Sequence, residues 1–255
     1  MRGLKIALFS IGLAITFMAL AYADHNQYLF DQANQLYQQE QYQQAIDKYL
    51  EIRNSGYESW QLYYNLGNAY YKTRDLGRAI LNYERALKLN PKNEDIKFNL
   101  DLANLQVVDK IVVPPQFFMF KILSDLKNLW SLKTLTFLTL FFYLLLTGLI
   151  IMRILLRDIR VQRIVRIAWI PALILLLLVG TIFIVRIHED STLHYAIVLV
   201  DKIDVLSSPD DQGTELFALH RGVKLQIEAS RADWAKIRLA DGKIGWIKKQ
   251  AFEII

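Results

Sequence analysis

The sequence predicts a multidomain chain: an all-α helical repeat, a two-helix transmembrane hairpin and a small all-β barrel. Three observations predict it. Between Leu135 and Val185, two apolar runs bracket a short stretch carrying Arg153, Arg157, Arg160, Arg163 and Arg166 against the single acid Asp158. Residues 24–108 are self-similar at a 34-residue spacing. From Tyr195 onward the apolar residues alternate with a period of two, the mark of half-buried strands.

Composition agrees with a mixed architecture. The chain is 53% hydrophobic, too apolar for an ordinary soluble protein, yet 22% charged, too polar for a many-span carrier. The net charge of +5 sits largely in the arginine stretch and at Arg2 and Lys5. The remaining soluble parts are near neutral, and no nucleic-acid footprint is present. The sequence holds no cysteine, which excludes disulfides, a thiolate nucleophile, cysteine metal sites and lipoprotein acylation.

Residues 1–23 read as a signal peptide. Arg2 and Lys5 precede an apolar run from Ile6 to Leu20, and Ala21-Tyr22-Ala23 supplies a small-x-small cleavage site. An uncleaved anchor is the alternative, and either way residue 24 onward is exported. Residues 133–153 and 167–186 form the two expected spans, each near the ~20 residues needed to cross a bilayer. Residues 154–166 form an arginine-rich cytoplasmic loop, because basic short loops stay on that side. Both soluble parts then face the periplasm from the bacterial inner membrane. Neither span carries an ionisable group in its interior, unlike most transport paths, so the hairpin reads as an anchor. Gly148 and Gly180 would permit close helix packing, and Pro171 would lie in the first turn of the second span. Residues 113–132 form an amphipathic segment suited to the membrane interface or to packing on the helical repeat.

In the helical part, residues 24–112, Ala33 pairs with Gly67, Ala45 with Ala79, and Tyr49 with Tyr83 at the repeat spacing. Gly67 and Ala79 are small where two antiparallel helices would cross, and Pro91 ends the second helix. With Leu66, Tyr70, Ala86 and Pro91 at matching offsets, residues 60–93 resemble a tetratricopeptide repeat (TPR). The sequence departs from the pattern at Arg74, where glycine is common, and at Tyr63, where tryptophan is common. Residues 26–59 form a more divergent first unit, and residues 94–107 a capping helix. The resemblance implies a concave peptide-binding surface carried by the first helix of each unit. The matching positions are Phe30, Asn34, Tyr37, Tyr64, Asn65, Asn68, Tyr71 and Lys72, joined by Phe98 from the capping helix. The asparagines would bond a partner's backbone and the aromatics supply area. The same residues also fit ordinary packing within the stack.

Residues 187–194 read as a hydrated linker, in which His188, Glu189, Asp190 and His194 lack a third kind of converging ligand for a metal. Residues 195–255 contain strand-like segments at Ala196–Val200, Val223–Ile227, Trp234–Leu239 and Lys243–Ile247, with Asp241-Gly242 as a hairpin turn. Ser207-Ser208-Pro209, Trp234 with Ile237, and Gly242 followed by Gly245-Trp246-Ile247 resemble a bacterial SH3 (SH3b) domain. Trp234 and Trp246 are expected in its core. Leu206 stands where that family usually has a basic residue, so no ligand contact is carried over.

The sequence shows no nucleophile elbow, paired metal-ligand motif or phosphate-cradling loop. No enzyme, cofactor or small-molecule substrate is therefore expected. The order of parts is similar to the BatE-like TPR proteins of the Bacteroides aerotolerance (Bat) operon. The similarity includes Phe98-Asn99-Leu100, Val108 to Ile111, Pro114 to Phe118, Gly213 to Phe217 and Ile237 to Gly242. It implies a non-enzymatic envelope scaffold beside membrane proteins with von Willebrand factor A domains, a large membrane-anchored Bat partner and a cytoplasmic MoxR-type ATPase. The alternative is a cell-envelope sensor whose SH3b domain binds peptidoglycan.

Overall fold

The computed structural model describes residues 25–112, 117–118, 129–156 and 158–255. The signal segment 1–23, most of the amphipathic stretch 113–132, and Arg157 lie outside the described residues. The described residues open with five helices: α1 over residues 25–38, α2 over Tyr42–Asn54, α3 over Trp60–Lys72, α4 over Leu76–Leu89 and α5 over Glu94–Asn104. The starts of α3, α4 and α5 are set by side chains that accept otherwise orphaned backbone N–H groups. Ser59 accepts from Leu62, Asp75 from Arg78, and Asn93 from Ile96.

The close crossing expected at Gly67 is present. A β-carbon there would lie 2.7 Å from the Tyr83 ring, so the ring occupies the space a side chain would need. Arg74 has φ +64°, and Glu40, one repeat earlier, has φ +60°. Both sit in the left-handed region favoured by glycine. That accounts for the family preference at Arg74 and shows the same tight turn between helices in the divergent first unit.

Two long helices follow, α6 over Leu132–Leu155 and α7 over Ile159–Thr192, both long and apolar enough to cross a membrane. Their boundaries correct the sequence expectation. The loop predicted at 154–166 shrinks to a few residues around Asp158, and Arg160, Arg163 and Arg166 ride on α7. Asp158 explains why: its carboxylate accepts from the N–H groups of Arg160 and Val161 and so starts the helix early. Gln162 then donates to the carbonyl of Arg153 across the turn. The expected linker 187–194 is helical through Thr192, and His194 already opens the first strand. Pro171 therefore lies well inside α7 rather than in its first turn. A β-carbon on Gly148 or Gly180 would meet nothing within 4 Å. The helix contact runs instead through buried Leu135, Val165, Ala172 and Val179.

The C-terminal part is an antiparallel sheet of β1 His194–Val198, β2 Lys202–Leu206, β3 Glu215–His220, β4 Lys224–Arg231, β5 Trp234–Arg238, β6 Ile244–Lys248 and β7 Phe252–Ile254. The strand order is β3-β2-β6-β5-β4-β1-β7. Register shifts at Val205/Leu206 and Ile227/Ala229 bend it, as bulges do. Asp241-Gly242 makes the predicted turn, with Gly242 at φ +92°. Ala235, Ile237, Gly245 and Ile247 fill the interior. Trp234 and Trp246, expected in the core, are half-buried on the other face. The pleat decides this: they alternate with the buried residues on the same strands.

The repeat and the sheet share one continuous apolar core. The seam runs along α4 and the chain just after α5. A β-carbon on Gly222, at φ +93°, would lie 2.9 Å from Val107 and 3.0 Å from Ile80. Asp109 accepts the backbone N–H of His220 at 2.7 Å and lies 3.0 Å from its imidazole Nδ1. Lys224 meets Glu84 at 2.7 Å, and Arg85 meets Glu253 at 2.9 Å.

Candidate peptide-binding groove

The 34-residue spacing places chemically identical groups at successive steps of the stack, and their hydrogen bonds repeat with it. Tyr49 donates through its hydroxyl to Asn34 Oδ1 at 2.7 Å, and Asn65 Nδ2 donates to the same oxygen at 2.9 Å. One repeat later, Tyr83 donates to Asn68 Oδ1 at 2.8 Å, and Asn99 Nδ2 donates to that oxygen at 2.9 Å. Asn34 and Asn68 are thus each held by a tyrosine of their own unit and an asparagine of the next. Asn99 also donates to the Tyr64 hydroxyl at 3.0 Å.

Burial keeps the tyrosines in the donor state. Desolvation pushes the Tyr49 and Tyr83 phenols far above the usual tyrosine range, and neighbouring phenols push Tyr83 further. Tyr37 is raised by burial and by Tyr42, whose ring meets it edge-on at 5.2 Å.

This ladder changes what the asparagines can offer. The carbonyl oxygens of Asn34 and Asn68 are already used twice, and Asn65 spends an N–H on Asn34. What remains for a partner is the Nδ2 of Asn34 and Asn68 and the Oδ1 of Asn65 and Asn99, for which no bonds are seen among the described residues. One donor and one acceptor per step suit an extended backbone, which presents both groups.

The structure brings Tyr37, Asn68, Tyr71 and Lys72 together around a cavity of about 170 Å³, with Tyr83, Asn99 and Leu102 completing its wall. That volume falls below the ~300–1,000 Å³ of a typical small-molecule site and suits a single side chain. Lys72 is exposed at the rim. Asn34, Tyr64 and Asn65 belong to the adjoining ladder. Phe30 packs edge-on against Tyr49 at 5.8 Å. Phe98 does not line the cavity and stands 68% exposed on α5. Asn99 and Tyr83 were absent from the sequence-derived groove. The signal for Asn99 was available, since it stands one repeat after Asn65.

The groove is lined by α1, α3 and α5, with Tyr83 reaching in from α4, whereas the sheet docks on α4 and residues 107–109 elsewhere. The C-terminal part therefore leaves the groove open. Elsewhere, Glu228 accepts from Arg238 and ion-pairs with Lys236, which together hold its carboxyl below the usual range. Lys248 lies 5.3 Å above the Trp234 ring. Among the described residues, no three His, Asp or Glu side chains converge as a metal site would require.

Comparison with known families agrees with both soluble parts. Residues 60–93 match the tetratricopeptide repeat family, and residues 200–252 match the bacterial SH3 domain family. No curated protein matches the chain. Both matched families are non-catalytic interaction domains, so the chain combines a TPR-like helical region, two apolar helices and an SH3b-like antiparallel sheet.

Proposed function

We propose that this protein is a scaffold anchored in the bacterial inner membrane, with its TPR stack and SH3b sheet facing the periplasm. The groove would hold an extended segment of an envelope protein. The observation that carries this reading is the division of surfaces: the sheet occupies the α4 side and does not cover the asparagine ladder or its cavity. Its partners, on the resemblance to the Bat operon proteins, are membrane proteins with von Willebrand factor A domains, within an aerotolerance or envelope-stress complex. The arrangement of the hairpin supports the orientation. Arginines gather at the α6–α7 turn, and the soluble body joins the other end through Lys88–Asp190 at 2.6 Å and Lys92 over Trp130 at 5.5 Å.

A photoreactive amino acid at Tyr71, in intact membranes, should capture an envelope protein, and Asn68→Asp should reduce that capture. Failure to trap any envelope protein would sink the scaffold reading. Orientation has a separate assay. A reporter active only in the periplasm should work after Ile255 and stay silent when inserted beside Arg160.

A second reading, binding of peptidoglycan, is favoured by one observation. Trp234 and Trp246 are only partly buried on β5 and β6, on the face away from the interior and beside Lys236 and Lys248. Aromatic faces flanked by cations suit sugar rings bearing carboxylates. Full-length protein in detergent should then sediment with purified sacculi, and no retention would refute it.

A further inference from the structure

A cavity of about 790 Å³ lies where all three parts meet: the end of α4, the end of α7 and the edge of the sheet. This volume is in the range of a small-molecule site. Leu129, Leu193, Tyr195 and Ile254 give it an apolar side. Its charged side is mostly self-neutralised, by Lys88 with Asp190 and Lys224 with Glu84. Lys97, also in the lining, pairs with Glu94 at 2.9 Å, and Arg186 and Glu189 line the cavity beside Asp190. Lys92 stands apart. It lies over the Trp130 ring, and among the described residues no carboxylate pairs with it.

The cavity's height above the membrane follows from chain length. Residues 167–187 of α7 are almost wholly apolar, and at ~1.5 Å per residue they span roughly the ~30 Å of a hydrocarbon core. Asp190 and Leu193 fall within about one to two turns beyond it, at the level of lipid headgroups. Leu129 and Trp130 stand just before α6, at the same level. The cavity thus combines an uncompensated cation, an apolar wall and a position at the headgroup layer.

We infer that this cavity holds the headgroup of an anionic phospholipid, whose phosphate faces Lys92 and whose glycerol and first methylenes lie against Leu129 and Leu193. The bound lipid would brace the soluble body against the hairpin and fix the height of the groove above the membrane. The inference rests on the proposed membrane anchoring.

Native mass spectrometry of the full-length protein, released from detergent micelles, tests it with phosphatidylglycerol, phosphatidylethanolamine and phosphatidylcholine of matched chains. One phosphatidylglycerol should be retained in preference to the others. A basic residue at an anionic surface is worth ~1 kcal/mol, so Lys92→Ala should lower that preference about fivefold. Lys92→Glu should abolish it, Lys92→Arg should restore it, and Lys72→Glu, in the groove, should leave it intact. Equal retention of the three lipids, or a Lys92→Glu variant that still prefers phosphatidylglycerol, would overturn the assignment. Displacement of the lipid by millimolar inorganic phosphate would also overturn it, by marking the ligand as a soluble anion. Carbonate extraction separates the two proposals. A protein that stays in the membrane but shows no lipid preference loses only this inference, whereas one released from the membrane also loses its anchoring.

Discussion

Substituting Gly222 by alanine tests whether the repeat and the sheet form one packed body. Gly222 sits at φ +93°, and its added β-carbon would lie 2.9 Å from Val107 and 3.0 Å from Ile80, both on the helical side of the seam. Two costs combine. The backbone conformation disfavours a side chain by ~1–2 kcal/mol. The collision with a close-packed seam adds about 1–3 kcal/mol, because cores answer overpacking with strain. Gly242 separates the terms: it has φ +92°, but a β-carbon there would meet nothing within 4 Å. Gly242→Ala should show the backbone cost alone, confined to the β5–β6 turn.

The assay is hydrogen exchange of the full-length protein in detergent. Its reporters are the His220 amide, which donates to Asp109 across the seam, and the Gly222 amide, which donates to Val198 at 2.8 Å. A combined penalty of at least ~2 kcal/mol raises exchange at these positions by about thirtyfold, at ~1.4 kcal/mol per factor of ten. Gly242→Ala should leave them unchanged. If Gly222→Ala does not speed exchange at His220, or if Gly242→Ala speeds it equally, the seam is not the packed interface argued here.

Arg74→Gly, at φ +64°, should raise stability by about 0.5–1 kcal/mol, since relief of left-handed strain exceeds the added freedom of the unfolded chain; calorimetry reads it, and Glu40→Gly should act alike. Asn68→Ala should cost about 1–3 kcal/mol in denaturant melts, because it strands the buried Tyr83 hydroxyl without its acceptor. Asn68→Asp keeps both acceptor bonds and should melt closer to wild type while losing the Nδ2 donor that a bound peptide would use. Alkaline titration should unfold the helical repeat. Burial, and secondarily the hydrogen bond to Glu58, push Tyr63 up to about 12. The unfolded chain thus releases its proton first, from near pH 10, and stability falls between about pH 10 and 12. Tyr63→Phe should flatten that part of the circular-dichroism profile, and an unchanged profile would contradict the assignment.

Much of this architecture was legible because its signals are local. A repeat spacing, an apolar run and an alternating strand each depend on neighbours in sequence, and Gly67, Arg74 and Gly242 announced close contacts or turns through single residues. The groove was only half legible. The spacing located its asparagines, but hydrogen-bond capacity is shared among α1, α3 and α5, and no one-dimensional pattern shows which half of an amide is already used. The arginine stretch misled in the other direction. Charge suggested a loop, while the capping carboxylate of Asp158 carried the helix through Arg160, Arg163 and Arg166.

By itself, the sequence determined the parts and their order: a helical repeat, two apolar helices and a strand-rich end, all encoded in periodicity. Only the tertiary structure decided how they meet. Gly222 against Val107, Asp109 against His220 and Glu84 against Lys224 join residues more than a hundred positions apart, across the whole hairpin. Contacts of that kind follow from complementary shape and charge between finished surfaces. They put the sheet on α4, away from the asparagine ladder, and enclose the cavity at the end of α7.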